Sequence, residues 1–379
     1  YKRQPRIRSG SPVTQPKTFL FLQGHPSTFP RRLADALEAA GARVLRVNFC
    51  VGDWVYWLGR SAVNYRGSFR DWDGFLEQLI AREGVTDVLY YGDCRPYHLA
   101  AREVAQRCGV RAIAYEFGYL RPDWLTLERG GMSTRSHFPK SPEAVREIGA
   151  QMGPADLEPR YRHGMGVELF HEVFYNLSSY FLWFAYPRYH ADRYYDPLVE
   201  YITGILRQLR LEANKREAVA TMQRLWQAEE RYFVFPLQLQ NDYQLRANAP
   251  FAHQGDAIRE VVGSFARNAP REAHLVFKCH PLDYGGEGWP GHISRAAAEN
   301  GVTRRVHYID GGHLEAILDR AQGCVLINST VGMHAIGRGC PVKVLGGAVF
   351  DIEGLADRRP LDQFWSAPEK PDAELAKAL

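Results

Sequence analysis

The sequence predicts an α/β chain made of two Rossmann-like halves facing a cleft, with a helical insertion in the middle. Three observations carry the prediction. Short apolar runs alternate with helix-period stretches from Thr18 to Glu116, and the alternation restarts at Arg231. Residues 156–230, between the two series, carry helical patterning broken at Pro187 and Pro197. Some of the apolar runs stop abruptly on polar side chains, which is where open α/β sheets present ligand chemistry.

The elements follow in order. Thr18 to Gln23 is a first strand, with a helix around Arg31 to Ala40 after Gly24. Ala42 to Asn48 is a second strand; helix Phe75–Arg82, strand Asp87–Tyr91, helix His98–Cys108 and strand Arg111–Glu116 complete the first half. In the second half, strands Arg231–Leu237, His274–Cys279, Val306–Ile309, Cys324–Ile327 and Pro341–Leu345 are separated by helices near Gly255–Ala266, Ile293–Asn300, Gly312–Ala321 and from Thr330. Strands joined through helices run parallel with right-handed crossovers. The implied divisions are a disordered or vector-derived head over 1–17, an acceptor domain over 18–155 and the helical segment over 156–230. A donor-binding domain over 231–350 and a tail over 351–379 that folds back over the surface complete the chain. Such a pair of halves is the glycosyltransferase-B arrangement, which other nucleotide-sugar enzymes share.

Composition bounds the class. The 379 residues are 45% hydrophobic and 24% charged, ordinary globular material with enough length for two cores. A net charge of +4 is too mild for nucleic-acid binding but suits anionic ligands or an anionic membrane surface. None of the six cysteines lies in a CxxC pair, which points to reduced thiols and a cytoplasmic setting. The aromatic segment Val167–Tyr186 is long enough to span a bilayer, but Glu168, His171, Glu172 and Asn176 are too costly in hydrocarbon. Aromatic stripes usually pack inward, so a core helix is expected; a helix lying on a bilayer beside Arg188, His190 and Arg193 is the alternative.

Strand Phe233–Leu237 ends on Gln238, Gln240, Asn241 and Asp242, which makes Asp242 either a reactive carboxylate or a helix cap. Lys278 and His280, pinned by Pro281, close the next strand and suit a phosphate ligand. Asn328, Ser329 and Thr330 follow a later strand and open a helix, where hydroxyls serve either an anion or simple capping. Glu315, in the helix before, suits a ribose or is a surface residue. The single Asp-x-Asp, Asp71-Trp72-Asp73, precedes a helix and reads as capping, so no metal is called for. Gly311-Gly312 and Gly346-Gly347 are too short to form a phosphate loop.

Taken together, Gln238-x-x-x-Asp242, Lys278-x-His280-Pro281 and Asn328-Ser329-Thr330-Val331-Gly332 resemble the signature of bacterial capsule polysaccharide synthesis proteins of the KpsS/LipB type, β-Kdo transferases related to KpsC. The first half is similar to that family at Phe19–Gly24, Val47–Phe49 with Gly52–Trp54, Tyr65–Ser68, Gly92–Pro96, Glu116–Asp123 and Thr126–Gly131. Where the family pattern has Gly-Pro after the first strand, this chain has Gly24-His25-Pro26. The resemblance implies a retaining transferase using CMP-Kdo, a (lyso)phosphatidylglycerol-type lipid or Kdo-linker acceptor, other capsule proteins as partners, and a peripheral place at the inner membrane. It implies Asp242 as nucleophile, with His280, Lys278, Ser329 and Thr330 on the leaving phosphate, Asn328 and Glu315 binding the donor, and Gln238 orienting sugar or nucleophile. Glu116 is the candidate acid/base, unless it is a structural partner of Arg95 or Arg121. His25, Asp93 and Arg95 fall on the acceptor side, with Asp53 and Trp54 weaker candidates. The alternatives are another nucleotide-sugar enzyme of this fold, sialyltransferase-like or an epimerase, and a non-catalytic part of capsule assembly or export.

Overall fold

Residues 16–119, 124–152 and 165–379 are described by the structure, a computed structural model. The head through residue 15, the motif portion 120–123 with Arg121, and the start of the helical middle over 153–164 lie outside them. Two compact units emerge, each described by itself. The first takes the residues up to Glu116, Leu127–Gly130 and the described residues 165–191; the second takes Phe117–Thr126, those from Gly131, and all of Asp192–Leu379.

The sheet that begins in the first unit contains β1 (Thr18–Phe21), β2 (Arg43–Asn48), β3 (Val63–Asn64), β4 (Asp87–Tyr91), β5 (Arg111–Phe117) and β6 (Leu125–Arg129). Its order is β3-β2-β1-β4-β5-β6, and β1 pairs in parallel with both β2 and β4. The second unit holds β7 (Tyr232–Pro236), β8 (His274–Lys278), β9 (Val306–Ile309), β10 (Gly323–Leu326) and β11 (Val342–Val344) in the order β11-β10-β7-β8-β9. Each is a Rossmann order, in which the chain reverses its direction of travel across the sheet next to the first strand. The predicted α/β class with parallel sheets is the observed one. Strands β7 and β8 read as unbroken apolar runs because helices cover both faces of a parallel sheet; Phe235, Leu275 and Phe277 are fully buried.

Several elements escaped the sequence pattern. β3 and β6 are short or edge strands, and helices Pro142–Met152 and Tyr243–Asn248 sit in stretches to which the sequence pattern assigns no element. The tail is more than a surface wrap. Phe364 and Trp365 are buried in the second core, where Phe364 lies against Gly323 and Trp365 meets the Phe233 ring edge-on at 5.0 Å. Helix Ala373–Ala378 then packs on helix Pro142–Met152, with Arg146 pairing to Asp372 at 2.9 Å. At Asp71-Trp72-Asp73 a helix does start, but Asp71 makes no side-chain cap; it accepts the Ser68 hydroxyl at 2.7 Å, and Asp73 pairs with Arg107.

The aromatic helix departs most from expectation. Helix Met165–Phe181 buries Tyr175 and Ser179 and leaves Phe170, Phe174 and Phe181 exposed. Tyr175 and Ser179 are buried against helix Val51–Val55, where Gly52 leaves no room for a Cβ beside the Tyr175 ring. Ser179 Oγ accepts from the Gly52 N–H at 3.1 Å. Among the described residues, no helix is long and apolar enough to cross a membrane.

Candidate functional site

Ligands of open α/β sheets bind outside the carboxyl ends of the strands, at the switch point where strand order reverses. In the first unit that point lies between β1 and β4; in the second it lies between β7 and β10.

In the first unit, Gln23 leaves β1 and meets Arg95 from the end of β4. Arg95 Nη1 donates to Gln23 Oε1 at 3.1 Å, so this contact bridges the switch point. Gln23 Nε2 donates to the hydroxyls of Tyr175 at 2.6 Å and Tyr189 at 3.0 Å. Tyr175 donates onward to Asp53 Oδ1 at 3.0 Å, and Asp53 also receives Arg46 at 3.3 Å and the Phe49 N–H at 3.0 Å. Arg46 and Asp53 are buried together. Asp53 is therefore a core partner, whereas Trp54 is half-exposed. Asp93 is buried and accepts from the Cys94 thiol, and Glu116 is half-buried near the end of β5. His25 meets Tyr91 edge-on; burial first, and then the Arg95 and His171 charges, lower its pKa to about 4, so its imidazole is neutral at neutral pH.

In the second unit, Pro236 of β7 and Lys278 of β8 are register partners, so both strands end at one level. From there the chain reaches Gln238. Its amide engages Asn328, beyond the end of β10, at both ends: Nε2 donates to Asn328 Oδ1 at 2.8 Å and Oε1 accepts the Asn328 N–H at 3.2 Å. Gln254 holds the Gln238 backbone from the other side at 2.8 and 3.0 Å, and its N–H reaches Gln240 Oε1 at 2.9 Å. The ladder of amides thus bridges the second switch point.

Asp242 follows on the same loop and is the N-cap of helix Tyr243–Asn248, its Oδ1 accepting from the Gln244 N–H at 2.8 Å. The cap bond fixes the orientation of the carboxylate at the start of that helix. The helix itself is anchored. Asn328 Nδ2 donates to the Gln244 carbonyl at 3.0 Å, Ser133 and Thr134 donate to Gln244 and Asn248, and Tyr243 donates to the Asp192 carbonyl at 2.7 Å. Gly346 and Gly347 pack where a Cβ would strike Asn248 and Thr134, which explains that pair without a phosphate.

Lys278 is buried, and no hydrogen bond or ion pair holds its ammonium among the described residues. Burial lowers its pKa below the usual lysine value. The nearby carboxylate Asp310 is already bound by Arg207 at 2.5 Å and Asn214 at 2.9 Å. His280 Nδ1 accepts the Leu282 N–H at 3.1 Å, so in the neutral ring the proton sits on Nε2. Ser329 Oγ accepts from the Val331 N–H at 3.3 Å, while Thr330 makes no side-chain cap. The Gly332 of this motif is required by packing, since a Cβ there would lie 2.3 Å from the Phe350 ring. Glu315 stands half-exposed and pairs with Arg338 at 2.5 Å; binding a ribose would require releasing that pair.

Sequence reasoning missed Arg207. Its guanidinium joins Asp310 to the carbonyls of Pro281 and Asp283, clamping the loop that carries His280. A lone Arg on a long helix carries no local signal of such a role. Gln244, Asn248 and Gln254 were missed for the same reason. Among the described residues, no group of three or more His, Cys, Asp or Glu is placed to hold a metal ion.

Fold and site define a two-unit α/β protein with Rossmann-ordered sheets whose second switch point has a capping carboxylate, Asp242, and a buried lysine, Lys278, with no hydrogen-bond or ion-pair partner among the described residues. The family model described as capsule polysaccharide biosynthesis protein matches residues 86–379, and the chain belongs to that family. It is 32% identical over 366 residues to the capsule polysaccharide export protein KpsS of Escherichia coli, covering 95% of this chain and 92% of that one. It is 31% identical over 381 residues to the capsule polysaccharide modification protein LipB of Neisseria meningitidis, covering 96% and 88%. Among solved structures, it is similar to a β-Kdo 2,7 transferase, KpsC of Thermosulfurimonas dismutans, at 16% identity and a TM-score of 0.47, covering 95% and 89%.

Proposed function

We propose that this chain is a glycosyltransferase of capsule synthesis, a retaining β-Kdo transferase that takes Kdo from CMP-Kdo. The observation that carries the reading is that adjacent strands lead to a capping carboxylate and a buried lysine: Asp242 lies on the loop after β7, and Lys278, which has no hydrogen-bond or ion-pair partner among the described residues, ends β8. A donor with a carboxylate beside its anomeric carbon and a phosphate leaving group needs both an anion for the oxocarbenium-like centre and a cation for the phosphate.

The steps balance as a double displacement. An Asp242 oxygen attacks the anomeric carbon on the face opposite CMP. The carbon–oxygen bond to phosphate breaks, and its electron pair leaves with CMP. Lys278, His280, Ser329 and Thr330 stabilise that phosphate, and Asn328 is kept in place by Gln238. An acceptor hydroxyl then displaces Asp242, losing its proton to a base, for which Glu116 is the candidate. Two inversions give retention. His25, Asp93 and Arg95 keep the proposed acceptor-side roles. The proposed acceptor is a (lyso)phosphatidylglycerol-type lipid or a Kdo linker on it, which places the work at the cytoplasmic face of the inner membrane beside other capsule proteins.

The test is intact mass after incubation with CMP-Kdo and no acceptor, followed by determination of the product's anomeric configuration. A single Kdo adduct that maps to Asp242 is expected, with retained configuration. An inverted product without any adduct would remove the nucleophile. Equal capsule complementation by wild type and Asp242→Asn would point instead to a non-catalytic part in assembly or export.

A further inference from the structure

The outward face of helix Met165–Phe181 is built for an apolar neighbour. Phe170, Phe174, Leu177 and Phe181 recur at three- and four-residue intervals and so form one stripe. Phe170 is 62% exposed and Phe181 58%, and the stripe continues through Trp183 and Phe184 at 63% and 64%. It lines an open groove of about 740 Å³ with Leu169, Val173 and Leu182. A globular protein usually turns such a stripe inward and leaves scattered, single apolar side chains outside. Here the inward side is the polar one: Tyr175 and Ser179 are buried, and His171 Nδ1 meets the Tyr56 hydroxyl at 2.7 Å.

We infer that this face lies in the plane of an anionic lipid bilayer, with its rings at the acyl–headgroup boundary. Three features select a bilayer over a protein partner. Both acidic residues of the helix, Glu168 and Glu172, fall by helical spacing on the side of Tyr175 and Ser179, away from the stripe. The large rings gather at one end, Phe181, Trp183 and Phe184, which is the chemistry of the membrane interface. Cations follow immediately: Arg188 is exposed, and Arg66 lies over the Tyr186 ring at 5.9 Å, so positive charge flanks the rings where lipid phosphates would be. The surface shares no residue with the proposed donor site, and the inference holds whether or not the acceptor is a lipid.

The experiment is flotation of the full chain with vesicles of phosphatidylcholine alone and of phosphatidylcholine mixed with phosphatidylglycerol. Wild type is expected to float with the mixed vesicles and to dissociate as salt rises. Phe170→Ser with Phe174→Ser should weaken binding by about tenfold or more, given the apolar surface lost. Arg188→Glu should weaken it by roughly threefold to tenfold on anionic vesicles only. Thermal unfolding checks that the double variant folds; Arg188→Glu, an exposed charge change, keeps the test valid if it does not. Failure of wild type to float, or equal flotation of every folded variant, overturns the inference. So does a concentration-dependent dimer in sedimentation that the double serine variant disperses, which would assign the face to a second copy of the chain. Transferase activity on a soluble acceptor should survive all these substitutions, which separates this outcome from failure of the Kdo-transfer reading.

Discussion

The two switch points are alike in topology and opposite in chemistry. Each is bridged by the glutamine that follows the first strand of its unit, Gln23 to Arg95 in one and Gln238 to Asn328 in the other. In the first unit the polar groups largely satisfy one another: Gln23, Tyr175, Tyr189, Asp53 and Arg46 form a buried, connected set. In the second, the amides hold the loops, while the Lys278 ammonium is buried with no hydrogen-bond or ion-pair partner among the described residues. A polar cluster that closes on itself rigidifies a core. A buried charge with no partner is costly to leave so unless something from outside completes it. The contrast supports the proposed phosphate site at the second switch point.

The largest expected effect lies at Asp242. Asp242→Asn retains a capping oxygen but not a nucleophile, so Kdo transfer, measured as CMP release, should fall by about a thousandfold or more. Its stability should stay close to wild type, whereas Asp242→Ala should also lose about 1 kcal/mol in urea unfolding, because the cap goes with the carboxylate. An active Asp242→Asn enzyme would reduce the second switch point to the same structural standing as the first.

Next is Asp53→Ala, which strands the buried Arg46 guanidinium. It should cost about 3–5 kcal/mol of unfolding free energy, as for a broken buried pair. A cost below about 1 kcal/mol would mean the first switch point is not a closed structural cluster, and the comparison would break there.

The smallest of the three sharpens the account of Lys278. Lys278→Met removes a buried charge of similar length, so stability should hold or rise, while CMP binding by calorimetry weakens at least about tenfold. The pH dependence has a definite sign. Because burial lowers the folded-state pKa below 10.5, the unfolded chain binds more protons between the two values. Wild-type stability should therefore rise with pH across that window, and the methionine variant should lose that rise. CMP affinity should decline in wild type as the ammonium deprotonates, at a pH below the usual lysine range. Equal CMP affinity in the two proteins would remove Lys278 from the phosphate site.

Much of this was legible in the sequence because parallel strands buried on both faces write themselves as apolar runs, and Phe233–Leu237 or Leu275–Phe277 admit few other readings. The same runs exposed the candidate site, since Asp242, Lys278 and Asn328 stand where those runs end. What stayed hidden was partnership. Gln238 looked like a group that orients sugar or nucleophile, and the structure engages its amide with Asn328, which is 90 positions away. Asp53 looked like a possible acceptor contact and is buried beneath Arg46, Tyr175 and the Phe49 N–H.

The sequence by itself determined the class, the strand positions, the family, and the short list of polar residues at strand ends, because burial periodicity and local motifs are properties of neighbouring residues. The tertiary structure decided which of those residues are already satisfied, which way the aromatic helix faces, and that Arg207 clamps the His280 loop. Those outcomes depend on groups distant in sequence meeting in space. Helical periodicity marks a stripe in 165–181 but is the same whether that stripe faces a core or a membrane; only the close approach of Gly52 to Tyr175 and Ser179 turned it outward.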